Sequence, residues 1–125
     1  MYIEPGKLWV VQMASHHANQ LRRHVGRWPN SDKRGLGDQL LRSADSIGAN
    51  IAEGEGRGGT TRDCLRFLSI SRGSLQETIH WIRQAIEREL IEENEGKTLL
   101  LNYFRLSVAI NAFIRSKSKP PTTTE

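Results

Sequence analysis

Apolar residues recur along most of this chain at spacings of three and four, the period of one face of a helix. They predict four helices, at about 7–25, 37–55, 61–91 and 96–116. No stretch alternates with a period of two, so no strand is predicted. Because the connections between the helices are short, the pattern predicts an all-α fold, an antiparallel up-down-up-down four-helix bundle.

The first helix is predicted to bury one face, which is made of Leu8, Val11, Ser15, Ala18, Leu21 and Val25. Trp9 and Met13 form a second line beside that face. Gly26 and Pro29 then break the helical pattern, so Trp28–Asp32 is predicted to be a loop. Trp28 is expected to pack over the end of the bundle.

The stretch from Ser46 to Gly59, SIGANIAEGEGRGG, begins as a helix of small residues and ends in a run of glycines. Small residues on the flank of a helix let another backbone come close. Gly48 lowers helix propensity by about 1 kcal/mol relative to alanine, so close packing is the favoured explanation for a glycine there. The second helix and this glycine run are therefore predicted to form the tip of a helical hairpin.

Polar residues at that tip carry further predictions. Asn50 and Glu53 are expected to satisfy backbone or arginine partners, while Gly54 and Gly56 belong to the turn. Arg57 is either the partner of Glu53, four residues earlier on the same face, or the first residue of a basic patch. The sequence from Thr60 to Asp63 resembles a capping box and marks the start of the third helix.

The third helix carries more apolar surface than one core requires. Its core stripe consists of Leu68, Leu75, Ile79, Ile82 and Ile86, and a second, adjacent stripe consists of Phe67, Ile70, Ser74, Thr78, Trp81 and Ala85. Large apolar side chains are costly to leave in water. We therefore expect Phe67, Ile70 and Trp81 to form a contact between subunits of an oligomer.

The fourth helix has one core stripe, made of Leu99, Tyr103, Leu106, Ile110 and Phe113. Residues 1–116 are predicted to form a single domain, and residues 117–125, which hold prolines and threonines, a disordered tail. No apolar run is long enough to span a membrane. The single cysteine, Cys64, excludes an internal disulfide and agrees with a reducing compartment. We expect a cytoplasmic protein without a membrane partner.

The charged residues of the chain indicate a candidate binding surface. The formal net charge is +4, and thirteen of the eighteen basic residues are arginine, which suits bidentate contact with phosphate. The candidate nucleic-acid-binding residues are Arg22, Arg23, Arg27, Arg34, Arg42, Arg57, Arg62 and Arg66. Such a surface is expected to bind phosphates with strong salt dependence. Few aromatic residues are predicted to be exposed, so sequence-specific recognition is not expected.

Other motifs do not support an enzyme. Gly54, Gly56 and Gly59 match G-x-G-x-x-G, but a helix precedes them where a dinucleotide site needs a strand. Glu77 and His80 match E-x-x-H, but there is no second copy and they point away from the core stripe. Without a convergent set of acids, bases or nucleophiles, no catalytic residue, metal site or cofactor is expected.

The chain also resembles a known family. The residues concerned are Trp9, Trp28-Pro29, Gly35-Leu36-x-x-Gln39-Leu40-x-Arg42-x-Ala44-x-Ser46-Ile47-x-Ala49-Asn50-Ile51-Ala52-Glu53-Gly54-x-Gly56-Arg57, Phe67-Leu68 and Gly73-Ser74-Leu75-x-Glu77. They are similar to the bacterial four-helix-bundle proteins encoded by intervening sequences of 23S ribosomal RNA genes. The resemblance implies a ring-shaped homopentamer. It also links the chain to accessory proteins of diversity-generating retroelements, which bind nucleic acid and a reverse transcriptase.

Two hypotheses of function follow. The first is a non-enzymatic, oligomeric bundle that binds RNA or DNA through its arginine-rich surface. The alternative is an adaptor, for example for a reverse transcriptase, in which the second stripe of the third helix binds a protein partner and the arginines only keep the protein in solution.

Overall fold

The four predicted helices are present in a computed structural model, which describes residues 5–56 and 60–118. They are α1 (Pro5–Val25), α2 (Asp38–Gly56), α3 (Thr61–Glu87) and α4 (Glu93–Ser118), and the described ranges contain no strand. α2 and α3 share the most extensive contact, and α1 and α4 touch much less. The all-α four-helix bundle is therefore confirmed. Across the described ranges, no helix has the length and apolar character that a membrane span requires.

The core face of α1 differs from the predicted one in its first half. Val10 and Ala14 are buried, whereas Leu8 is 39% exposed and Ser15 is also exposed. The prediction was wrong there because the predicted core face did not include His17. His17 is buried. When it is counted as a core residue, the buried face of the first turns of α1 consists of Val10 and Ala14 instead of Leu8 and Ser15.

The connection between α1 and α2 is more helical than predicted. A turn of helix at Asn30–Asp32 and a π-helical turn at Lys33–Gly37 lead directly into α2, so the loop predicted to reach Asp32 ends at Pro29. Trp28 is buried over the end of the bundle, as expected. A Cβ atom on Gly37 would lie 2.8 Å from Cγ1 of Val25, so the close approach of α1 requires a residue without a side chain there.

Small polar residues join α2 to α3. The buried Ser71 hydroxyl donates to the Ile47 carbonyl at 2.8 Å, and the Ser46 and Ser74 hydroxyls lie 2.8 Å apart. Further along the seam, the Thr78 hydroxyl lies 2.9 Å from that of Ser43. Compact side chains that bond across the seam explain why these two helices make the most extensive contact of the bundle.

Gly48 lies on the other side of α2, against α1. A Cβ atom on it would lie 3.3 Å from Cβ of Ala14 and 3.5 Å from the Val11 carbonyl oxygen. The prediction that Gly48 serves close packing is confirmed. The start of α3 is also as predicted, because the Thr60 hydroxyl accepts the Asp63 backbone N–H at 3.1 Å.

α3 ends at Glu87, four residues before the predicted end. Glu89 adopts a left-handed conformation with φ of 60°, the Glu89 N–H donates to the Ile86 carbonyl, and the Leu90 N–H donates to the Ala85 carbonyl. This is the hydrogen-bond pattern of a Schellman motif, which usually has glycine at the left-handed position. The predicted helix was too long because no glycine marks this turn.

α4 begins three residues before its predicted start, at Glu93. The Glu92 carboxylate accepts the Glu95 backbone N–H at 3.0 Å, and such backbone hydrogen bonds lower the pKa of Glu92. The helix continues to Ser118, so Lys117 and Ser118, which were predicted to belong to the tail, are helical. Residues 119–125 of the predicted tail lie outside the described ranges.

Candidate nucleic-acid interface

Five of the eight predicted arginines lie at one end of the bundle, where α1 ends and α2 begins. We call them the first-loop arginines: Arg22, Arg23, Arg27, Arg34 and Arg42, all of which are exposed. Arg22 and Arg23 lie in the last turn of α1, where cations interact favourably with the helix dipole. Their position follows from the topology, because the end of the first helix and the start of the second meet at one end of the bundle.

The first-loop arginines differ in their partners. Arg22 forms an ion pair and hydrogen bond with Asp45 on α2. The Nε atoms of Arg27 and Arg34 donate within their own turns, to the Arg23 and Asn30 carbonyls at 3.3 and 3.5 Å. Within residues 5–56 and 60–118, no acidic side chain pairs with Arg23, Arg27, Arg34 or Arg42. These four retain positive charge that an external anion can neutralise.

Two of the other three predicted arginines lie at the opposite end. Arg62 and Arg66 are exposed on the first turns of α3, and the Arg66 guanidinium lies 4.4 Å from the centroid of the Phe67 ring. Because α3 is about 40 Å long, these two lie on the order of 30 Å from the first-loop arginines. Arg57 lies outside the described residues, and so does its predicted pairing with Glu53. The predicted arginines that the structure describes therefore form two separate groups.

A polar cavity of about 470 Å³ adjoins the first-loop arginines, between the second half of α1 and the first half of α4. It is lined by Gln20, Arg23, His24, Arg27, Glu95, Thr98, Leu99 and Asn102. Nδ1 of His24 lies 3.6 Å from a carboxylate oxygen of Glu95. Glu95 lies on α4 and His24 on α1, so this contact joins the two helices across the cavity.

A second, mostly apolar cavity of about 260 Å³ continues along the same pair of helices. Its lining residues are Trp9, Met13, His17, Asn102, Arg105, Leu106 and Ala109, so Asn102 lines both cavities. Trp9 is 56% exposed, although it was expected to lie beside the core face. Together the two cavities form what we call the α1–α4 groove, which sequence reasoning did not identify.

His17 connects the two halves of this groove. It lies 3.3 Å from the Gln20 side-chain oxygen, and its ring centroid is 5.9 Å from that of Tyr103. Burial lowers the pKa of His17 below its usual value, so the ring is neutral at neutral pH. Three arginines, Arg23, Arg27 and Arg105, supply permanent positive charge to the groove.

The motif residues at the end of α2 have mainly structural contacts. The Asn50 amide donates to the Ser46 carbonyl at 2.8 Å and to its hydroxyl at 2.9 Å, so the expected backbone partner is present. A Cβ atom on Gly54 would lie 2.9 Å from Cβ of Phe67, so this glycine lets α3 approach. Glu53 is half-buried. Gly54 and Gly56 are both helical, with Gly56 the last residue of α2, so the prediction that they belong to the turn was wrong.

Glu55, which had no predicted role, contacts one residue from each of the other three helices. Its side chain is 5% exposed and pairs with Lys7 of α1 at 2.9 Å and with Lys117 of α4 at 3.8 Å. The Cys64 thiol of α3 donates to it at 3.2 Å. Burial and this carboxylate raise the pKa of Cys64 to about 11, which makes the thiol unreactive at neutral pH.

The predicted oligomer contact is partly covered by the bundle itself. Ile70 is 42% exposed, whereas Phe67 and Trp81 are half-buried, and Trp81 packs against the core. Two further members of the second stripe, Thr78 and Ala85, are buried. A different apolar surface lies on α4, where Leu101, Phe104 and Val108 are 47%, 42% and 67% exposed. Their spacing of three and four is visible in the sequence, but only the core stripe of this helix was considered.

Within the described ranges, no group of three or more His, Cys, Asp and Glu side chains is placed to hold a metal ion. Glu77 and His80, the E-x-x-H pair, are both exposed on α3. The described polar side chains that line the groove include cationic groups that can bind an anion.

Comparison with known proteins assigns the family. The profile of the 23S rRNA-intervening sequence protein family matches residues 6–112. A crystal structure of a protein of unknown function from the S23 ribosomal protein family, from Bacteroides thetaiotaomicron VPI-5482, is similar with a TM-score of 0.80 and 23% identity. The alignment covers 88% of this chain and 98% of that one, and it supports the fold. No match was found among curated proteins. The chain belongs to the 23S rRNA-intervening sequence protein family.

Proposed function

We propose that this protein is a non-enzymatic, oligomeric bundle that binds RNA or DNA through the first-loop arginines and acts in the cytoplasm. One observation carries the proposal. Arg23, Arg27, Arg34 and Arg42 are exposed at one end of the bundle, and no acidic side chain within residues 5–56 and 60–118 pairs with them. Phosphates that replace solvent ions at such a cluster release counterions, which favours binding at low salt.

Two further points support a nucleic acid as the partner. The family is named for the intervening sequence of 23S rRNA, which agrees with an association with RNA. The guanidinium group also matches the geometry of a phosphate and stays charged at all relevant pH values. No proton transfer or bond cleavage is required for such a role.

Filter binding to a structured RNA and to a DNA duplex, at about 50 mM and about 200 mM salt, tests the proposal. We expect binding at the lower salt that weakens strongly at the higher. The double variant Arg23→Gln/Arg27→Gln should bind more weakly than the wild type. Arg115→Gln is the matched control, because Arg115 is exposed on α4 and lies outside the predicted sites. If neither nucleic acid binds at the lower salt, the proposal is wrong.

We further propose a homo-oligomer, to which the resemblance assigns five subunits. Ile70 on α3 and the Leu101, Phe104 and Val108 face of α4 are exposed apolar surfaces on different helices. A closed ring needs two different complementary surfaces on every subunit, so this arrangement agrees with a ring. Light scattering should give a mass of several subunits, and Val108→Glu should lower it. A monomer at micromolar concentration would contradict the proposal.

The α4 face also favours the second candidate, an adaptor for a protein such as a reverse transcriptase. Exposed apolar patches mark sites of protein–protein contact. A pull-down that recovers one protein after nuclease treatment, and loses it in the Val108→Glu variant, would support the adaptor. Recovery that disappears with nuclease would support nucleic-acid binding.

A further inference from the structure

The α1–α4 groove combines features that occur separately elsewhere on the bundle. Arg23 and Arg27 line its polar half, and Arg105 lines its apolar half. Among the described residues that line the two cavities, Glu95 is the only acidic one. A ligand that fills the whole groove therefore meets three guanidinium groups and one carboxylate. This balance suits an anionic chain.

Trp9 adds a flat apolar surface to the same groove. It is 56% exposed, the largest exposed fraction among the aromatic residues whose side chains are described. Trp28, in contrast, is buried, and Trp81 is half-buried. Aromatic side chains beside basic residues are the usual combination in proteins that bind single-stranded nucleic acids, because each base can stack on a ring while the backbone is held by cations.

Asn102 lies where the two halves meet. It lines both cavities and is half-buried. An amide can donate and accept at once, so it can bond to the edge of a base that enters the groove. Trp9 and Arg23 are fourteen residues apart on α1, which corresponds to about 21 Å. That length accommodates about six nucleotides at the spacing of a stacked strand.

We propose, on the basis of the function proposed above, that the α1–α4 groove binds a single-stranded nucleic acid, with one base stacked on Trp9 and phosphates held by Arg23 and Arg27. A duplex keeps the faces of its bases covered and can contact only the arginines. An apolar protein partner would bury the three arginines of the groove without acidic groups to pair with them. Charge complementarity therefore favours the single strand.

Fluorescence anisotropy with labelled single-stranded RNA of about eight nucleotides, and with a duplex of the same length, tests the inference. Trp9→Ala should weaken single-strand binding by about 5-fold to 100-fold and leave duplex binding unchanged. Trp9→Phe should retain most of the affinity, because the ring is kept. Leu8→Ala is the matched control, since Leu8 is 39% exposed on the same helix as Trp9 and lines neither cavity.

Crosslinking gives a second measurement that does not depend on a variant. RNA that contains thiouridine should crosslink to peptides of α1 and α4 around Trp9 and Arg105. Crosslinks confined to α3 would overturn the inference, and so would unchanged single-strand binding by Trp9→Ala. In both cases binding by the wild type would leave the proposed function intact. If the wild type binds neither the single strand nor the duplex, the proposed function itself fails.

A further possible outcome is that Trp9→Ala changes the oligomeric state of the protein. If Trp9→Ala lowers the mass measured by light scattering and the wild type does not bind the single strand, a second copy covers the groove and the inference is wrong. Circular dichroism of each variant establishes that the helices are retained. Because Trp9 is mainly exposed, its replacement should leave the helical signal unchanged.

Discussion

Replacing Glu55 by glutamine should destabilise the bundle substantially, because this carboxylate connects all four helices. Two unit charges about 4 Å apart attract by about 4 kcal/mol at an effective dielectric constant of about 20. Desolvation offsets part of this attraction, and exposed pairs contribute about 0–1 kcal/mol. The Lys7 side chain is 13% exposed and that of Lys117 is 31% exposed, so the pair with Lys7 should dominate. Removing one partner of a fully buried pair costs about 3–5 kcal/mol.

We expect Glu55→Gln to lower the free energy of unfolding by about 2 kcal/mol. This is less than the value for a fully buried pair, because the lysines are partly solvated and glutamine can still accept a hydrogen bond. Urea unfolding followed by circular dichroism, at one protein concentration, measures the change. Glu93→Gln is the matched control: its side chain is 73% exposed and pairs with Lys97 at 3.6 Å, so its loss should be below about 1 kcal/mol. Equal losses for the two variants would refute the role given to Glu55.

Three other changes test separate features of the bundle. Glu89→Gly should raise the free energy of unfolding in urea by about 0.5–1 kcal/mol, because φ of 60° strains any residue with a Cβ atom. If Glu89→Ala gives the same increase, backbone strain is not the cause. Tyr103→Phe should cost less than about 1 kcal/mol, because the buried hydroxyl has no hydrogen-bond partner in the described part of the chain; a loss above about 2 kcal/mol would mean that it has one. Thiol titration of Cys64 at about pH 8 should be on the order of 100-fold slower in the native protein than in urea, because its pKa is raised to about 11. The pKa of Cys64 in the folded protein lies above its unfolded value, so the thiol contributes stability below about pH 8.5 that is lost as the pH rises towards 11. Cys64→Ala lacks the thiol and should therefore lose less stability than the wild type over that pH interval. Equal thiol rates in the native and unfolded protein, or the same loss in Cys64→Ala, would contradict this.

Helical periodicity was sufficient to predict the four helices, because each buries a stripe at spacings of three and four. It failed where local chemistry was unusual. His17 is polar by type but buried and neutral, so the first turns of α1 were assigned to the wrong face. The end of α3 depends on a left-handed glutamate, and sequence signals for such turns rely on glycine.

The candidate site was predictable only in part. The arginines could be identified in the sequence. The short connection between α1 and α2 implied that Arg27 and Arg34 lie at the same end of the bundle. The groove was not visible, because it results from incomplete packing between α1 and α4, which are the first and last helices in the sequence. The contacts of Glu55 likewise join residues 7, 55, 64 and 117. No local pattern brings such distant positions together, so only the three-dimensional fold reveals them.

The dependence of nucleic-acid affinity on salt tests the role of the first-loop arginines most directly. Each phosphate contact contributes about 0.7 to the slope of log affinity against log salt for a single strand, and about 0.9 for a duplex. Arg23→Gln/Arg27→Gln, which removes two such contacts, should therefore reduce the slope by about 1.4 for a single strand and by about 1.8 for a duplex. Arg62→Gln/Arg66→Gln, at the opposite end of the bundle, provides the comparison and should reduce it less. A slope unchanged by the first pair, or reduced equally by both pairs, would contradict binding at the first-loop end.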